Sequence, residues 1–158
     1  MLEFDHNYFM EQAFREAQHA FEESEVPIGA VVVINNRIIG RGHNRTEALK
    51  DATAHAEMIA ITSAAENHGN WRLDDSVLYS TIEPCAMCAG AAVLSRVKTI
   101  VYGAPDQRFG ACDSLFNIPT DSRLNHRIEI ISGVMEQEAV ELMQLFFRQL
   151  RKNKEKID

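Results

Sequence analysis

Residues 76–102 read SVLYSTIEPCAMCAGAAVLSRVKTIVY. The run 76–81 is apolar and strand-prone. Pro84 then suits the first turn of a helix, because it lacks an N–H that a helix start leaves unpaired anyway. That helix is predicted over residues 84–95, and a second strand over 98–102. On the N-terminal side, a helix is predicted over 54–65, closed near Gly69, and a loop over 45–53. Residues 30–34 form a valine-rich buried strand, Asn35-Asn36 is a turn signal, and 37–42 returns as the second arm of a hairpin. Residues 3–24 carry Phe9, Ala13, Ala17 and Phe21 on one helical stripe, and Pro27 and Gly29 stop it. On the C-terminal side, Gly103, Pro105, Gly110 and Pro119 mark a long loop before a strand over 127–131. A last helix shows Ala139, Leu142, Met143, Phe146, Phe147 and Leu150 at helical spacing. The order α-β-β-α-β-α-β-β-α predicts an α/β protein, a three-layer α/β/α sandwich around a five-stranded sheet.

The length of 158 residues suits one domain over 1–158. With 46% apolar and 25% charged residues, neither a disordered chain nor a membrane bundle fits. The longest apolar run, residues 28–34, is too short to span a bilayer, and the N-terminus lacks the basic start of a signal peptide. Three cysteines cannot all pair, and Cys85-x-x-Cys88 points to metal or redox work in a reducing compartment, so a cytoplasmic location is expected. The net charge of −7 argues against a general nucleic-acid binder. It is unevenly spread: residues 148–158 hold five basic and two acidic residues, a balance of +3, which leaves −10 on the rest. A charged tail of this kind is equally the solvated end of a helix. Neither G-x-G-x-x-G nor G-x-x-x-x-G-K occurs, so neither phosphate-binding loop is supported.

Two short stretches carry chemistry, Thr53-Ala54-His55-Ala56-Glu57 and Glu83-Pro84-Cys85-Ala86-Met87-Cys88. Each lies at a predicted helix start. Cys85 and Cys88 at i and i+3 share one side of a first turn, and the helix N-terminus favours their thiolate form. Zinc accepts two thiolates and one imidazole, and three protein ligands leave a position for water. His55 and Glu57 at i and i+2 point about 200° apart around a helix axis, so they serve one site only if the helix start faces it end-on. Glu57 is then a proton shuttle beside the metal, not a ligand. Taken singly, H-x-E occurs by chance, and C-x-x-C is also a redox pair, half of a zinc ribbon or packed thiols. Together, in order and on two helix starts, they read as one zinc site.

H-x-E followed by P-C-x-x-C resembles the zinc-dependent cytidine/deoxycytidylate deaminase superfamily. Beyond the motifs, Val26-Pro27-Ile28-Gly29-Ala30, His43-Asn44-Arg45, Asn125-His126-Arg127 and Phe146-Phe147-Arg148-Gln149-Leu150-Arg151 are similar to the bacterial tRNA adenosine deaminases within it. The resemblance implies a cytidine deaminase-like fold with a mixed sheet, and one Zn2+ per chain on His55, Cys85 and Cys88. It implies Glu57 as the catalytic proton carrier and deamination of the wobble adenosine in a tRNA anticodon stem-loop. Asn44 would hydrogen-bond the nucleoside, and Asp106, Phe147 and Arg151 would lie along the RNA path. A homodimer is implied, with the Ala/Gly-rich helix 85–94 permitting close packing between subunits, and no membrane partner. Cys112 and Asp113 depart from the smaller neutral residues expected there.

Other readings stand beside these. Asn44 and Asp106 are also ordinary turn formers. Phe146 and Phe147 both fall on the apolar stripe of the last helix and read by pattern as core. His6, His19, His43, His68 and His126 read as surface or structural residues. A free-base or nucleoside deaminase acting on cytosine, cytidine or guanine keeps the same chemistry. A zinc-stabilised binding module without activity needs a fourth ligand, for which Cys112 is the only unused thiol.

Overall fold

A computed structural model describes residues 5–157. Ten elements follow in order: α1 His6–Glu22, β1 Gly29–Ile34, β2 Arg37–His43, α2 Thr46–Leu49, α3 Ala56–His68, β3 Val77–Ile82, α4 Ala86–Leu94, β4 Thr99–Ala104, β5 Glu129–Ile131 and α5 Glu136–Glu155. The strands form one sheet in the order β2-β1-β3-β4-β5. β1 pairs antiparallel with β2 and β3, while β3–β4 and β4–β5 are parallel, so the sheet is mixed.

Alternation along the strands divides the core into two layers. Ala30 and Val32 of β1, Leu78 of β3 and Ile100 of β4 pack on Ala56, Ala60, Ile61 and Ala64 of α3 and on Ala92 and Val93 of α4. Val31, Val33, Val77, Tyr79 and Val101 face the other way, onto Phe9, Met10 and Ala13 of α1. Ala139 and Met143 of α5 join Ile82 and Ala104 on a third, smaller cluster. The three-layer arrangement read from the sequence is therefore the one observed.

Local chemistry explains the element ends. Asp5 accepts a hydrogen bond from the Tyr8 N–H and caps α1; residue 3, where the sequence predicts the helix to start, lies outside the described residues. Asn35 and Asn36 both take positive φ, 49° and 63°, the conformation that a tight two-residue hairpin requires. The predicted loop 45–53 contains a short helix instead. The buried Glu25 carboxylate accepts from the N–H groups of Glu47 and Ala48 at 3.2 and 2.7 Å and so caps α2. That cap comes from more than twenty residues away, and no local pattern announces it. Pro84 stands just before the cap rather than inside the helix, because Cys85 is the N-cap of α4.

Two glycines bring α3 close to the sheet. A Cβ on Gly40 would meet the Ala60 carbonyl, and one on Gly42 the Ala56 carbonyl. This approach holds the start of α3 against the end of β2. The start of α4 follows directly from the end of β3. Both helix N-termini therefore open at the carboxyl end of the parallel strands, where the loop after β4 also begins, and open α/β sheets bind their ligands at this end.

Candidate active site

His55 is the N-cap of α3 and Cys85 the N-cap of α4, both with extended backbones. Neither side chain caps its own helix, so both are free to face the space between the helix starts. His55 Nδ1 lies 3.5 Å from Cys85 Sγ and 3.6 Å from Cys88 Sγ. The three ligand atoms all lie within 4.8 Å of one another. A tetrahedral zinc with bonds of 2.0–2.3 Å sets its ligands roughly 3.5 Å apart, so the donor set fits that ion. Cys112 is no part of this cluster; it is buried in the core with Tyr102 and Ile128. The closed four-ligand arrangement that a purely structural zinc needs is thus not assembled from it.

The charge balance follows from the same contacts. A hydrogen bond with Cys88, opposed by burial and helped by His55, brings the Cys85 thiol down to about 4. The Cys85 hydrogen bond and burial push Cys88 up, and the Cys85 hydrogen bond raises His55 despite its burial. Glu57 stands in the first turn of α3, 4% exposed. Burial raises its carboxyl above the ordinary range, against a hydrogen bond with Cys88. Burial thus makes the Glu57 carboxylate a readier proton acceptor beside the ligands.

One cavity of about 980 Å³ joins this cluster to the surface. His55, Glu57 and Cys85 line it, with Asn44 and Thr46 on one side and Asp106, Arg108 and Phe109 on another. α5 contributes Met143, Gln144, Phe147, Arg148 and Arg151. Asn44, His55, Glu57, Cys85, Asp106, Phe147 and Arg151, all expected at the site from the sequence, therefore line the cavity, whereas Cys88 is buried and does not. Phe146 and Phe147 separate: Phe146 is 8% exposed and stacks edge-on with Phe21, whereas Phe147 is 38% exposed. The reading of both as core holds only for Phe146, because the stripe is wide and α5 covers the sheet with one edge of it. Asp106 is both a turn former and a lining residue, for its carboxylate accepts from the N–H groups of Arg108 and Phe109.

Sequence reasoning gave Glu83 no role. Its buried carboxylate accepts from the N–H groups of Asp106, Cys112, Asp113 and Ser114 at 2.9–3.1 Å, and from the Ser114 hydroxyl. Gly110 makes room for it, since a Cβ there would strike the Glu83 carboxylate. Asp113 is occupied in turn by the Tyr102 hydroxyl. One carboxylate thus shapes the whole loop that presents Asp106, Arg108 and Phe109. Burial opposes its charge, but the Ser114, Asp113 and Asp106 hydrogen bonds win and hold the carboxyl below its ordinary 4.5. We expect Glu83→Gln to keep the metal and lose about 1–3 kcal/mol of stability, because an amide cannot accept from every donor. A depressed folded pKa stabilises above the unfolded value and is lost as pH falls through the folded one. The melting-temperature gap between wild type and variant should therefore be full near neutrality and close in acid, which calorimetry over pH 3–7 measures.

A family model of MafB19-like deaminases matches residues 4–151. The tRNA-specific adenosine deaminase of Streptococcus pyogenes serotype M18 is 48% identical over 150 residues, covering 95% of this chain and 94% of that one. The protein of the same name from Bacillus subtilis is 49% identical over 146 residues, covering 92% and 91%. A solved structure from work on A-to-I editing by tRNA:A34 deaminases at the wobble position of transfer RNA superposes with a TM-score of 0.82 at 44% identity, covering 85% of this chain and 98% of that one.

Proposed function

The chain belongs to the MafB19-like deaminases and, within them, to the tRNA-specific adenosine deaminases, and from that premise we propose that its site hydrolyses the exocyclic amine of the wobble adenosine in a tRNA anticodon loop. The fold is cytidine deaminase-like. Water is consumed, ammonia leaves, and inosine remains in the RNA chain. The observation that carries this reading is the continuity of one cavity: buried Glu57 at one end, exposed Phe147, Arg148 and Arg151 of α5 at the other. A site for a free base needs no arginines around its mouth, and this body is otherwise acidic.

Zinc, one ion at this site in each chain, is the metal we assign to His55 Nδ1 and the sulfurs of Cys85 and Cys88. When bound, it supplies a Lewis acid that makes water a nucleophile near neutral pH. The protein's own groups carry the protons. Glu57 takes one from the attacking water and delivers it to the ring nitrogen beside C6; it then takes the second from the new hydroxyl on C6 and gives it to the amine, which leaves as ammonia as the C–N bond breaks and the carbonyl forms. Asn44, buried on the cavity wall, orients the nucleoside. Phe147 offers a face on which an unstacked base can rest, and Arg151 and Asp106 line the path of the backbone. Extrusion of the target base is cheaper from a loop than from a duplex.

The whole of residues 1–158 is read as one deaminase domain, working in the cytoplasm with its tRNA substrate. Among the described residues no helix is long and apolar enough to cross a membrane. We also propose a homodimer through α4. Met87, Gly90, Ala91 and Leu94 form an i, i+3, i+4, i+7 stripe left partly or fully exposed by the chain's own packing, and Leu94 is 71% exposed.

The rate of inosine formation within an anticodon stem-loop, set beside deamination rates on free adenosine, cytidine, cytosine and guanine, tests the substrate. Turnover confined to the RNA supports the proposal; turnover of a free base with none on RNA overturns it. Neutralising Arg151 and Lys152 together should weaken stem-loop binding and flatten its salt dependence, since fewer counterions are released. Zinc content should stay unchanged. Affinity and salt slope equal to wild type would remove α5 from the RNA site.

A further inference from the structure

Beside Asn44, the end of β2 meets α1 in a second convergence of ligand atoms. Glu16, His19 and His43 each offer one such atom, all within 4.8 Å of one another. His43 Nδ1 lies 3.3 Å and His19 Nδ1 3.9 Å from the same oxygen, Glu16 Oε2. We propose that these three residues form a second divalent-metal site, of the two-histidine, one-carboxylate kind that zinc uses.

The hydrogen bonds around His43 argue for a cation there. A neutral imidazole has one N–H and one acceptor nitrogen. His43 Nε2 lies 3.0 Å from Glu23 Oε2, so its proton belongs on that side. Nδ1 is then a bare lone pair turned towards the Glu16 carboxylate. Two acceptors face each other only around a positive charge. An added proton would serve that one contact. That proton does not engage His19 Nδ1, which lies one helical turn from Glu16 and faces the same oxygen, whereas a metal uses all three atoms.

The Glu23–His43 contact is the arrangement metal sites use behind their ligands, a carboxylate that fixes the tautomer and orientation of a ligating histidine. Other charges are placed compatibly. Arg41 Nη1 sits 3.8 Å from Glu16 Oε1, the oxygen turned away from the histidines. Arg45 Nε lies 3.9 Å from Glu23 rather than from the three ligands. Glu16 and His43 are mostly buried and preformed, while His19 is more than half exposed and supplies the movable third ligand. An ion held here ties α1 to the last residue of β2, next to Asn44.

Untagged holoenzyme, already holding its first zinc, is titrated calorimetrically with Zn2+ alone. Wild type should take up a second equivalent and gain melting temperature. His19→Gln, which alters an exposed side chain outside the catalytic site, should weaken that second uptake at least about tenfold and leave deamination unchanged. Glu23→Gln should weaken it by about 10–100-fold, as loss of a partner behind a ligand does. Cys88→Ser should lose the first equivalent and keep the second, which separates this proposal from the zinc reading of the active site. A wild-type holoenzyme that binds no second equivalent, or a second equivalent unchanged in His19→Gln, overturns the proposal.

Discussion

Glu57→Ala enzyme should retain its zinc and deaminate an anticodon stem-loop at least about 10²–10⁴-fold more slowly than wild type, the range that general acid-base catalysis contributes. Glu57 lies beside the metal cluster but contributes no atom to it; His55, Cys85 and Cys88 are the three that converge. Truncation therefore removes the proton carrier and leaves the ligands. It also removes a buried carboxyl whose charge is opposed by desolvation, so stability should not fall in step with activity. Zinc content and initial rate measured on one preparation decide the matter. Loss of zinc in parallel with rate would make Glu57 a ligand and contradict the assigned role.

The second large effect is expected at Cys88. Cys88→Ser should lose the active-site zinc, all detectable deamination and part of the folding stability, because binding free energy at a metal site is also folding free energy. Its thiol is fully buried and no water can replace it easily. Cys112→Ser should by contrast keep one zinc at this site and near-normal turnover, since Cys112 packs in the core away from the ligand cluster. Metal analysis and thermal unfolding of both variants provide the comparison. Zinc lost from Cys112→Ser would revive the closed, four-ligand reading.

The contrast between these cysteines shows what the sequence could and could not express. The layers of the fold were legible because apolar strand runs and helical stripes are local: residues 30–34 declare a strand buried on both faces, and Phe9 with Ala13 a helical face, within a few residues. The zinc site was legible because each half is a short motif on a helix start, and the sheet merely brings the halves together. Glu83 stayed silent although it lies inside the second motif. Its partners are the N–H groups of Asp106 and of residues 112–114, and backbone donors leave no residue-type signature. α2 was missed for a like reason, since its cap comes from distant Glu25. Phe147 could not be told from Phe146, because a stripe gives the buried face of a helix but not where that face ends. The cluster of Glu16, His19 and His43 was hidden as well: three unremarkable residues on two elements, joined only by the crossing of α1 and β2.

The claim that this cavity edits a wobble adenosine is tested most directly by reading the product in place. Full-length tRNA bearing adenosine at the wobble position is incubated with wild-type enzyme or with Glu57→Ala, then reverse-transcribed and sequenced, inosine being read as guanosine. Wild type should give adenosine-to-guanosine conversion at the wobble position, the variant none, and neither should alter adenosines held in the stems. An unchanged wobble adenosine after wild-type treatment, or conversion scattered over the tRNA, would contradict it.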